Sequence, residues 1–271
     1  MKVVILCGGK GTRLREETEY RPKPMVAIGG KPILWHIMKT YSAYGFHDFI
    51  LCLGYKGEMI KDYFMNYDLL NCDFTIELGS KRIVKDSVAH DEANWKVSLV
   101  DTGLETMTGG RLARIRDYIG DDEDFLFTYG DGVSDVNVPD LIRFHRLSGR
   151  TATLTGVHTV GRFGELSLNG DAVHRFAEKP VSSETWINGG YFVMNRKIFD
   201  YLDGDECVLE LSPLGQLSAE EQLGVYRHPG YWQCMDTVRD MEKLNREWDS
   251  GHPPWKAWSD VPNPGHGLRA A

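Results

Sequence analysis

The sequence VVILCGGKGTRL, residues 3–14, decides the fold. Its first five residues are apolar, which is typical of a buried strand, and three glycines follow within four positions. Glycine lets a backbone turn tightly and bring successive N–H groups close to an anion. Thr12 adds a hydroxyl donor, and Lys10 and Arg13 add positive charge. A connection without a ligand would explain one glycine well but three poorly, so the stretch predicts a loop that binds phosphate or a nucleotide.

The loop matches neither of two common phosphate-binding motifs. It is not a GxxxxGK[ST] loop, and it is not the GxGxxG loop of dinucleotide-binding proteins. A dinucleotide oxidoreductase is disfavoured further because Gly54 and Tyr55, rather than an acidic residue, stand at the end of the second predicted strand. The loop alone therefore indicates phosphate or nucleotide binding and nothing more specific.

Beyond this stretch, short apolar runs alternate with amphipathic segments. Such runs predict strands and helices respectively. The predicted strands are 3–7, 48–54, 97–101, 124–129 and 151–157, and the predicted helices are 32–44, 111–119 and 138–147. This alternation predicts an α/β fold, in which a mostly parallel sheet is flanked by helices on both faces.

The later half departs from that rhythm. Three successive strands are predicted at 166–168, 172–178 and 188–195, the first two joined by the turn Asn169-Gly170-Asp171. These strands suggest a meander or an insertion that encloses a ligand. Residues 67–95 are polar and irregular, typical of an excursion from the core. A last helix at 237–248 precedes a tail rich in proline and glycine, from residue 252 onward, that we expect to be loosely held.

Composition limits the classes of partner. The 271 residues include 31 basic and 39 acidic ones, a formal charge of −8. Such an acidic chain has no general attraction for nucleic acid or for anionic membranes. The first apolar run is too short for a signal peptide or a membrane span. The five cysteines form no CxxC pair, and buried, reduced thiols are expected for Cys7 and Cys52. We therefore expect a cytoplasmic protein.

Two motifs in the first half suggest phosphate chemistry. Prolines flank Lys23, so its ammonium is presented from a stiff segment, as would suit a contact with phosphate oxygens. The strand at 124–129 runs into Gly130-Asp131-Gly132, which places a carboxylate at the carboxyl edge of the sheet, where open α/β folds bind ligands. One carboxylate with few neighbours is a common Mg²⁺ arrangement. Taken alone, the lysine segment fits an ordinary loop about as well, and Asp131 fits an ordinary turn better.

Three motifs in the second half are equally open when taken singly. Glu178-Lys179-Pro180 places an acid and a base side by side, and Asn188-Gly189-Gly190 offers an amide suited to sugar hydroxyls. Asp236 precedes the last helix, either as its cap or as a second metal carboxylate.

Together these motifs resemble the sugar nucleotidyltransferase (pyrophosphorylase) family, over residue 1 to about residue 258. Segments 31–38, 101–103, 107–112 and 129–132 look like its glucose-1-phosphate cytidylyltransferase branch. The resemblance implies a Rossmann-like nucleotidyltransferase fold with a small β-rich sugar-binding portion. It also implies Mg²⁺-dependent conversion of CTP and α-D-glucose 1-phosphate to CDP-glucose and pyrophosphate, in a homo-oligomer that serves deoxysugar and polysaccharide biosynthesis. Cys7 stands where alanine is usual, and segments 81–95 and 157–160 match no family pattern.

The resemblance further implies a single domain over 1–258, its nucleotide-binding part at about 1–135 and its sugar-binding part at about 136–236, with a loose tail at 259–271. It assigns the catalytic roles to Arg13, Lys23, Asp131 and Asp236, the two aspartates sharing one Mg²⁺. The implied nucleotide contacts are Leu6, Gly8, Gly9, Gly11, Thr12, Arg13, Lys23, Thr106, Arg111 and Gly130. The implied sugar-phosphate contacts are Tyr129, Glu178, Lys179, Asn188 and Gly189.

Two alternatives stay open at this point. The same chemistry could use another nucleotide, or a heptose or amino sugar phosphate, since small pocket differences set such choices. A catalytically inactive paralogue could bind nucleotide sugars as a regulatory subunit, although the intact Lys23, Asp131, Lys179 and Asp236 argue against it.

Overall fold

The computed structural model describes residues 1–85, 91–158, 165–169, 172–177 and 185–259. The strands within these residues are β1 Val3–Leu6, β2 Ala27–Ile28, β3 Lys31–Pro32, β4 Asp48–Leu53, β5 Phe74–Glu77, β6 Arg82–Lys85, β7 Lys96–Asp101, β8 Asp124–Tyr129, β9 Gly132–Ser134, β10 Ala152–Val157, β11 Glu165–Asn169, β12 Ala172–Ala177, β13 Ile187–Asn195, β14 Leu223–Arg227 and β15 Trp232–Cys234. The α-helices are α1 Arg15–Thr18, α2 Ile33–Ala43, α3 Gly57–Met65, α4 Tyr67–Leu70, α5 Thr108–Arg114, α6 Arg116–Ile119, α7 Val138–Ser148, α8 Ser212–Ala219 and α9 Val238–Asp249, and 3-10 turns cover Thr12–Leu14, Lys23–Met25 and Arg196–Tyr201.

Seven strands form the central sheet, in the order β14-β10-β13-β8-β1-β4-β7. β1 pairs in parallel with β4 and β8, β4 with β7, and β10 with β14. β13 is antiparallel to both of its neighbours, β8 and β10. The prediction of a mostly parallel sheet is confirmed, and the carboxyl ends of β1, β4, β7 and β8 lie together at one edge.

Side chains alternate between the two faces of each strand and build two separate cores. In β1, Val3 and Ile5 face one core, which α2, α7 and α9 cover, while Val4 and Leu6 face the other. The second core is covered by α5, α6 and α8, whose Leu112, Ile119 and Leu217 are fully buried. The predicted helical layers on both faces are therefore present.

One predicted helix has wrong bounds. The helix expected at 111–119 starts earlier, at Thr108, and is interrupted at Ile115, so that it forms two short helices, α5 and α6. It starts early because carbonyl groups from a distant segment accept hydrogen bonds from amides near its start, as described below. Arg111 therefore lies within the helix rather than at its head.

The excursion at 67–95 is more regular than predicted. It contains α4 and a two-stranded hairpin of β5 and β6, in which Ile76 pairs with Ile83. Trp95, at its end, packs against the first core, and Tyr67, at its start, is buried against Phe64 and Trp95. The later hairpin is also present as predicted, β11 pairing with β12, although its turn residues Gly170 and Asp171 lie outside the described residues.

The expectation of a loose tail from residue 252 is wrong for its first residues. Trp255 is fully buried, and its indole packs edge-on against His36 of α2. Trp248 and Trp258 also lie against His36. Burial of large aromatic surface ties this segment to the first core. Residues 260–271, most of the predicted loose tail, lie outside the described residues. Among the described helices, none combines the length and the apolar character that a membrane crossing requires.

Candidate active site

The glycine loop leaves β1 at the edge where the parallel strands end. Gly11 has a φ of 63°, a left-handed conformation that side chains other than glycine rarely adopt. The amide of Gly130, just after β8, donates a 3.0 Å hydrogen bond to the carbonyl of Leu6. A Cβ atom at Gly130 would lie only 2.7 Å from that oxygen, so glycine is needed for the two strand ends to approach. The loop and Asp131 are thereby held side by side.

A cavity of about 370 Å³ opens at this edge. All ten residues predicted to contact the nucleotide line it, from the glycine loop, the lysine segment, the start of α5 and the end of β8. The structure adds neighbours that sequence reasoning missed: Cys7, Pro24, Met107 and Thr108. Of these, Thr108 follows Thr106 by two residues in a segment already identified by resemblance, but Pro24 carries no signal beyond its place beside Lys23.

The side chain of Arg111 holds the glycine loop in place through hydrogen bonds. The residue is 4% exposed, and its guanidinium donates to the carbonyl of Gly8 at 3.1 Å and to that of Gly103 at 2.7 Å. Further donations reach the carbonyls of Leu53 and Leu104 and the hydroxyl of Thr102. Arg111 thus joins the ends of β1, β4 and β7 and positions the wall of the cavity.

The four residues predicted to be catalytic converge. The ammonium of Lys23 donates to Oδ2 of Asp131 and to Oδ1 of Asp236, each at 2.7 Å. The guanidinium of Arg13 donates to Oδ2 of Asp236 at 2.6 Å. Lys23 and Asp236 are buried, whereas the Arg13 side chain is 72% exposed. Residues from the loop, the lysine segment, the end of β8 and the entry to α9 therefore meet in one charged cluster.

Within this cluster, Lys23 and Asp236 each favour the charged form of the other. Burial alone would lower the pKa of Lys23, but the charge of Asp131, the neighbouring Cys234 and hydrogen bonds to both aspartates outweigh burial and raise that pKa. Burial would raise the pKa of Asp236, yet the hydrogen bond and charge of Lys23, with the charge of Arg13, leave it below its usual value. An opposite charge within a few ångströms favours the charged form of each partner.

The structure separates the two roles considered for Asp236. Thr237 is the residue that caps α9: its hydroxyl accepts from the amide of Asp240, and the Asp240 carboxylate accepts from the amide of Thr237. Asp236 is thus free of the capping role, and its carboxylate points to Lys23 and Arg13. Its place beside Asp131 fits the second interpretation, that of a metal carboxylate.

The donor set suits a hard divalent cation. One ligand atom from each of Asp131, Cys234 and Asp236 lies within 4.8 Å of the others. Carboxylate oxygens are the ligands that Mg²⁺ prefers, whereas a thiol is not. Burial, with the nearby Asp131 charge, raises the pKa of Cys234, so that its thiol stays protonated. The two aspartates are therefore the residues that could hold the ion, and Cys234 fills space beside them.

A second cavity, of about 270 Å³, adjoins the first and shares Arg13, Tyr129 and Asp131 with it. Two more of its lining residues, Asn188 and Gly189, were predicted to bind the sugar phosphate. Glu178 and Lys179, the other two predicted contacts, lie outside the described residues.

Trp232 is a lining residue that sequence reasoning missed. Its indole N–H donates to the carbonyl of Gly189 at 2.6 Å and closes the second cavity from β15. An aromatic residue four positions before Asp236 was the available signal.

This arrangement defines a nucleotidyltransferase: a glycine loop beside a lysine and paired carboxylates, at the carboxyl edge of a mixed sheet. The chain belongs to the nucleotidyl transferase family, whose model matches residues 2–264.

Two relatives within the family match nearly the whole chain. The chain is 51% identical, over 95% of its length and all of the relative's, to the glucose-1-phosphate cytidylyltransferase of Salmonella typhimurium (strain LT2). It is 45% identical, with the same coverage, to a probable glucose-1-phosphate cytidylyltransferase of Bacillus subtilis (strain 168). Its fold resembles that of HddC from Yersinia pseudotuberculosis complexed with GMP-PN, with a TM-score of 0.67, 25% identity, and coverage of 91% of this chain and 99% of that one.

Proposed function

We propose that this protein transfers the cytidylyl group of CTP to α-D-glucose 1-phosphate, which gives CDP-glucose and pyrophosphate. One observation carries the proposal: Asp131 lines both cavities, and Lys23 of the first cavity donates hydrogen bonds to Asp131 and to Asp236 of the second. Two substrates bound in the two cavities would meet beside those charges. The names of the relatives that match nearly the whole chain support the choice of substrates.

The reaction needs no covalent enzyme intermediate. An oxygen of the sugar phosphate attacks the α-phosphorus of CTP, a new P–O bond forms, and the bond to the β-phosphate breaks in line with it. The nucleophile is already an anion, so the protein's task is to position two anions and offset their repulsion.

Lys23 and Arg13 are the cations suited to that task. The Lys23 ammonium contacts Asp131, which lines both cavities, and we assign it to the α-phosphate and the attacking phosphate. Arg13, more exposed and at the edge of the loop, is assigned to the departing pyrophosphate. The amides of Gly8, Gly9 and Gly11, with the Thr12 hydroxyl, cradle the triphosphate.

Asp131 and Asp236 are the residues proposed to hold the metal ion. Members of this family usually use a divalent ion, and for this protein we propose Mg²⁺. When bound, the ion supplies charge that polarises the phosphate under attack. The aspartates themselves keep Lys23 extended between the cavities, and Asp236 also fixes Arg13.

Tyr129, Asn188 and Gly189 are proposed to contact the sugar, and the predicted contacts of Glu178 and Lys179 with the sugar phosphate remain part of the proposal. Thr106 and Arg111 complete the nucleotide side, Arg111 chiefly by holding the loop. The division into nucleotide-binding and sugar-binding parts, the homo-oligomeric state and the cytoplasmic location are retained as predictions. The buried free thiols of Cys7 and Cys52 fit a reducing compartment.

The decisive experiment measures pyrophosphate release from CTP, UTP, dTTP, ATP and GTP in turn, with Mg²⁺ and glucose 1-phosphate. Turnover that is strong with CTP alone supports the proposal, and Lys23→Ala serves as the inactive control. Turnover with another nucleotide would keep the mechanism and correct the substrate. If no nucleotide gave pyrophosphate release, with glucose 1-phosphate or with other sugar phosphates, the result would favour the inactive regulatory subunit instead.

A further inference from the structure

Residues 205–210, a segment between the 3-10 turn Arg196–Tyr201 and α8, hold the wall of the nucleotide cavity. The carbonyl of Asp205 accepts a 2.8 Å hydrogen bond from the amide of Met107. The carbonyl of Cys207 accepts from the amides of Gly109 and Gly110, at 2.8 Å and 3.1 Å. The first amides of a helix have no partner within it, so these carbonyls satisfy the start of α5. The wall that contains Thr106 and Thr108 is therefore fixed by a segment about a hundred residues later.

Glu210, the last residue of that segment, joins the two cavities. Its Oε2 accepts a 2.6 Å hydrogen bond from the hydroxyl of Thr108, which lines the nucleotide cavity. Its Oε1 accepts from the phenol of Tyr129, which lines both cavities. The Thr108 hydroxyl also accepts from the amide of Leu209 at 2.9 Å, so its proton is committed to Glu210. Each carboxylate oxygen of Glu210 thus accepts one hydrogen bond, Oε2 from Thr108 and Oε1 from Tyr129.

These hydrogen bonds determine whether the phenol of Tyr129 can donate to a ligand or only accept from it. A phenol has one proton to donate, and here that proton is directed to Glu210. Burial, together with the charge and hydrogen bond of Glu210, raises the pKa of Tyr129, so that the phenol stays protonated. Its oxygen can therefore act only as an acceptor toward a ligand, such as a sugar hydroxyl in the second cavity.

We infer that Glu210 is a positioning residue for the transfer reaction: through Thr108 and Tyr129, it couples the wall of the nucleotide cavity to the acceptor that orients the sugar. The inference rests on the proposed function, because it takes the two cavities as the nucleotide and sugar sites. Glu210 itself is absent from the lining of both cavities, so it acts through its two neighbours.

The test compares KM and kcat of Glu210→Ala, Glu210→Gln, Tyr129→Phe and Thr108→Val. Glu210→Ala is expected to raise the KM for glucose 1-phosphate about tenfold, the effect of losing one hydrogen bond to a charged acceptor, with a smaller change in kcat. Glu210→Gln keeps one acceptor oxygen and should restore part of the loss. Thr108→Val alters only the nucleotide side, yet it should also raise the KM for the sugar phosphate. Glu206→Gln changes an exposed carboxylate of the same segment and should match the wild type.

A double-mutant cycle separates positioning from a general loss of structure. With Tyr129→Phe in place, removal of Glu210 should have little further effect on the sugar-phosphate KM, because no phenol remains to be oriented. Multiplicative losses in the double variant would overturn the inference, as would an unchanged KM in Glu210→Ala. If the wild type uses another nucleotide or sugar phosphate, the proposed function is corrected, and the same cycle with that substrate pair still decides the role of Glu210.

Discussion

The ammonium of Lys23 donates a 2.7 Å hydrogen bond to Oδ1 of Asp236, although 213 residues separate the two in the chain. A second bond of the same length reaches Asp131. Before any substrate arrives, the protein's own cation thus lies between the carboxylates proposed to hold a metal ion. The ammonium has a third N–H that is available to phosphate, and an incoming ion that takes the carboxylates would free the other two.

Replacement of Lys23 by methionine tests this exchange. We expect kcat to fall by about 10²–10³-fold, the size typical for loss of one group that stabilises a transition state. The affinity for Mg²⁺ should rise at the same time, because the ammonium no longer competes for the carboxylates. Steady-state kinetics and calorimetric titration with Mg²⁺ measure the two effects. Lys197→Met, at an exposed lysine, is the matched control, and near-normal turnover in Lys23→Met would refute the assignment.

Local sequence singled out the glycine loop, Lys23 and Asp131 of the first cavity, whereas the family resemblance supplied other lining residues such as Thr106 and Arg111. Glycines, a stiffened lysine and a strand-end aspartate are short-range features, and the edge of a parallel sheet brings such features together by topology. The bounds of β8 were predicted to the residue, and those of β1 and α7 to within one. The common signal is a continuous apolar run, or a helical period, that ends at a glycine or a polar residue.

Features that depend on distant partners were not predictable. Sequence alone did not place the antiparallel β13 between β8 and β10, and it did not show that the guanidinium of Arg111 would bind backbone carbonyls. The early start of α5 depends on carbonyls of Asp205 and Cys207. The sequence around each of these residues contains no sign of its distant partner. No period or spacing in the sequence could therefore reveal the contact.

Substitutions at Gly9 and Gly11 of the loop test nucleotide binding and folding stability separately. Gly11→Ala should destabilise the fold by about 1–3 kcal/mol, because its φ of 63° is left-handed and a Cβ atom would lie 2.7 Å from Cγ2 of Thr18. At Gly9 a Cβ atom meets nothing within 4 Å. Gly9→Ala should therefore keep its unfolding free energy while it weakens nucleotide binding, since the added methyl would obstruct a triphosphate. Urea unfolding and nucleotide titration measure the two, and unchanged affinity in Gly9→Ala would argue against the cradle.

The segment after α9 should contribute to stability although its sequence predicted a loose tail. Trp255 is fully buried against His36 and Tyr231. Trp255→Ala is expected to lower the free energy of unfolding by about 3–5 kcal/mol, the usual cost of truncating a buried tryptophan. Leu147→Ala, at a side chain 83% exposed, provides the control with little effect. Equal stability of the two variants in urea unfolding would mean that the segment does not hold to the core in solution.

His36 should make stability depend on pH. The imidazole is fully buried, and its Nε2 lies 2.8 Å from the carbonyl of Ile28, while Nδ1 faces the indole N–H of Trp255 at 3.4 Å. That pattern fits a neutral ring that donates from Nε2 and accepts at Nδ1, and a second proton on Nδ1 would oppose the indole.

Burial lowers the pKa of His36 from 6.5 to about 4. The unfolded chain therefore binds this proton more readily than the folded one, so the contribution is complete above about pH 6.5 and is lost as pH falls toward 4. Between pH 7.5 and 4.5, we expect a loss of about 2–3 kcal/mol that is absent from His36→Gln. Urea unfolding of both proteins across that range gives the difference directly, since every other group titrates in both. Parallel stability curves for the two proteins would show that His36 is not held neutral by the fold.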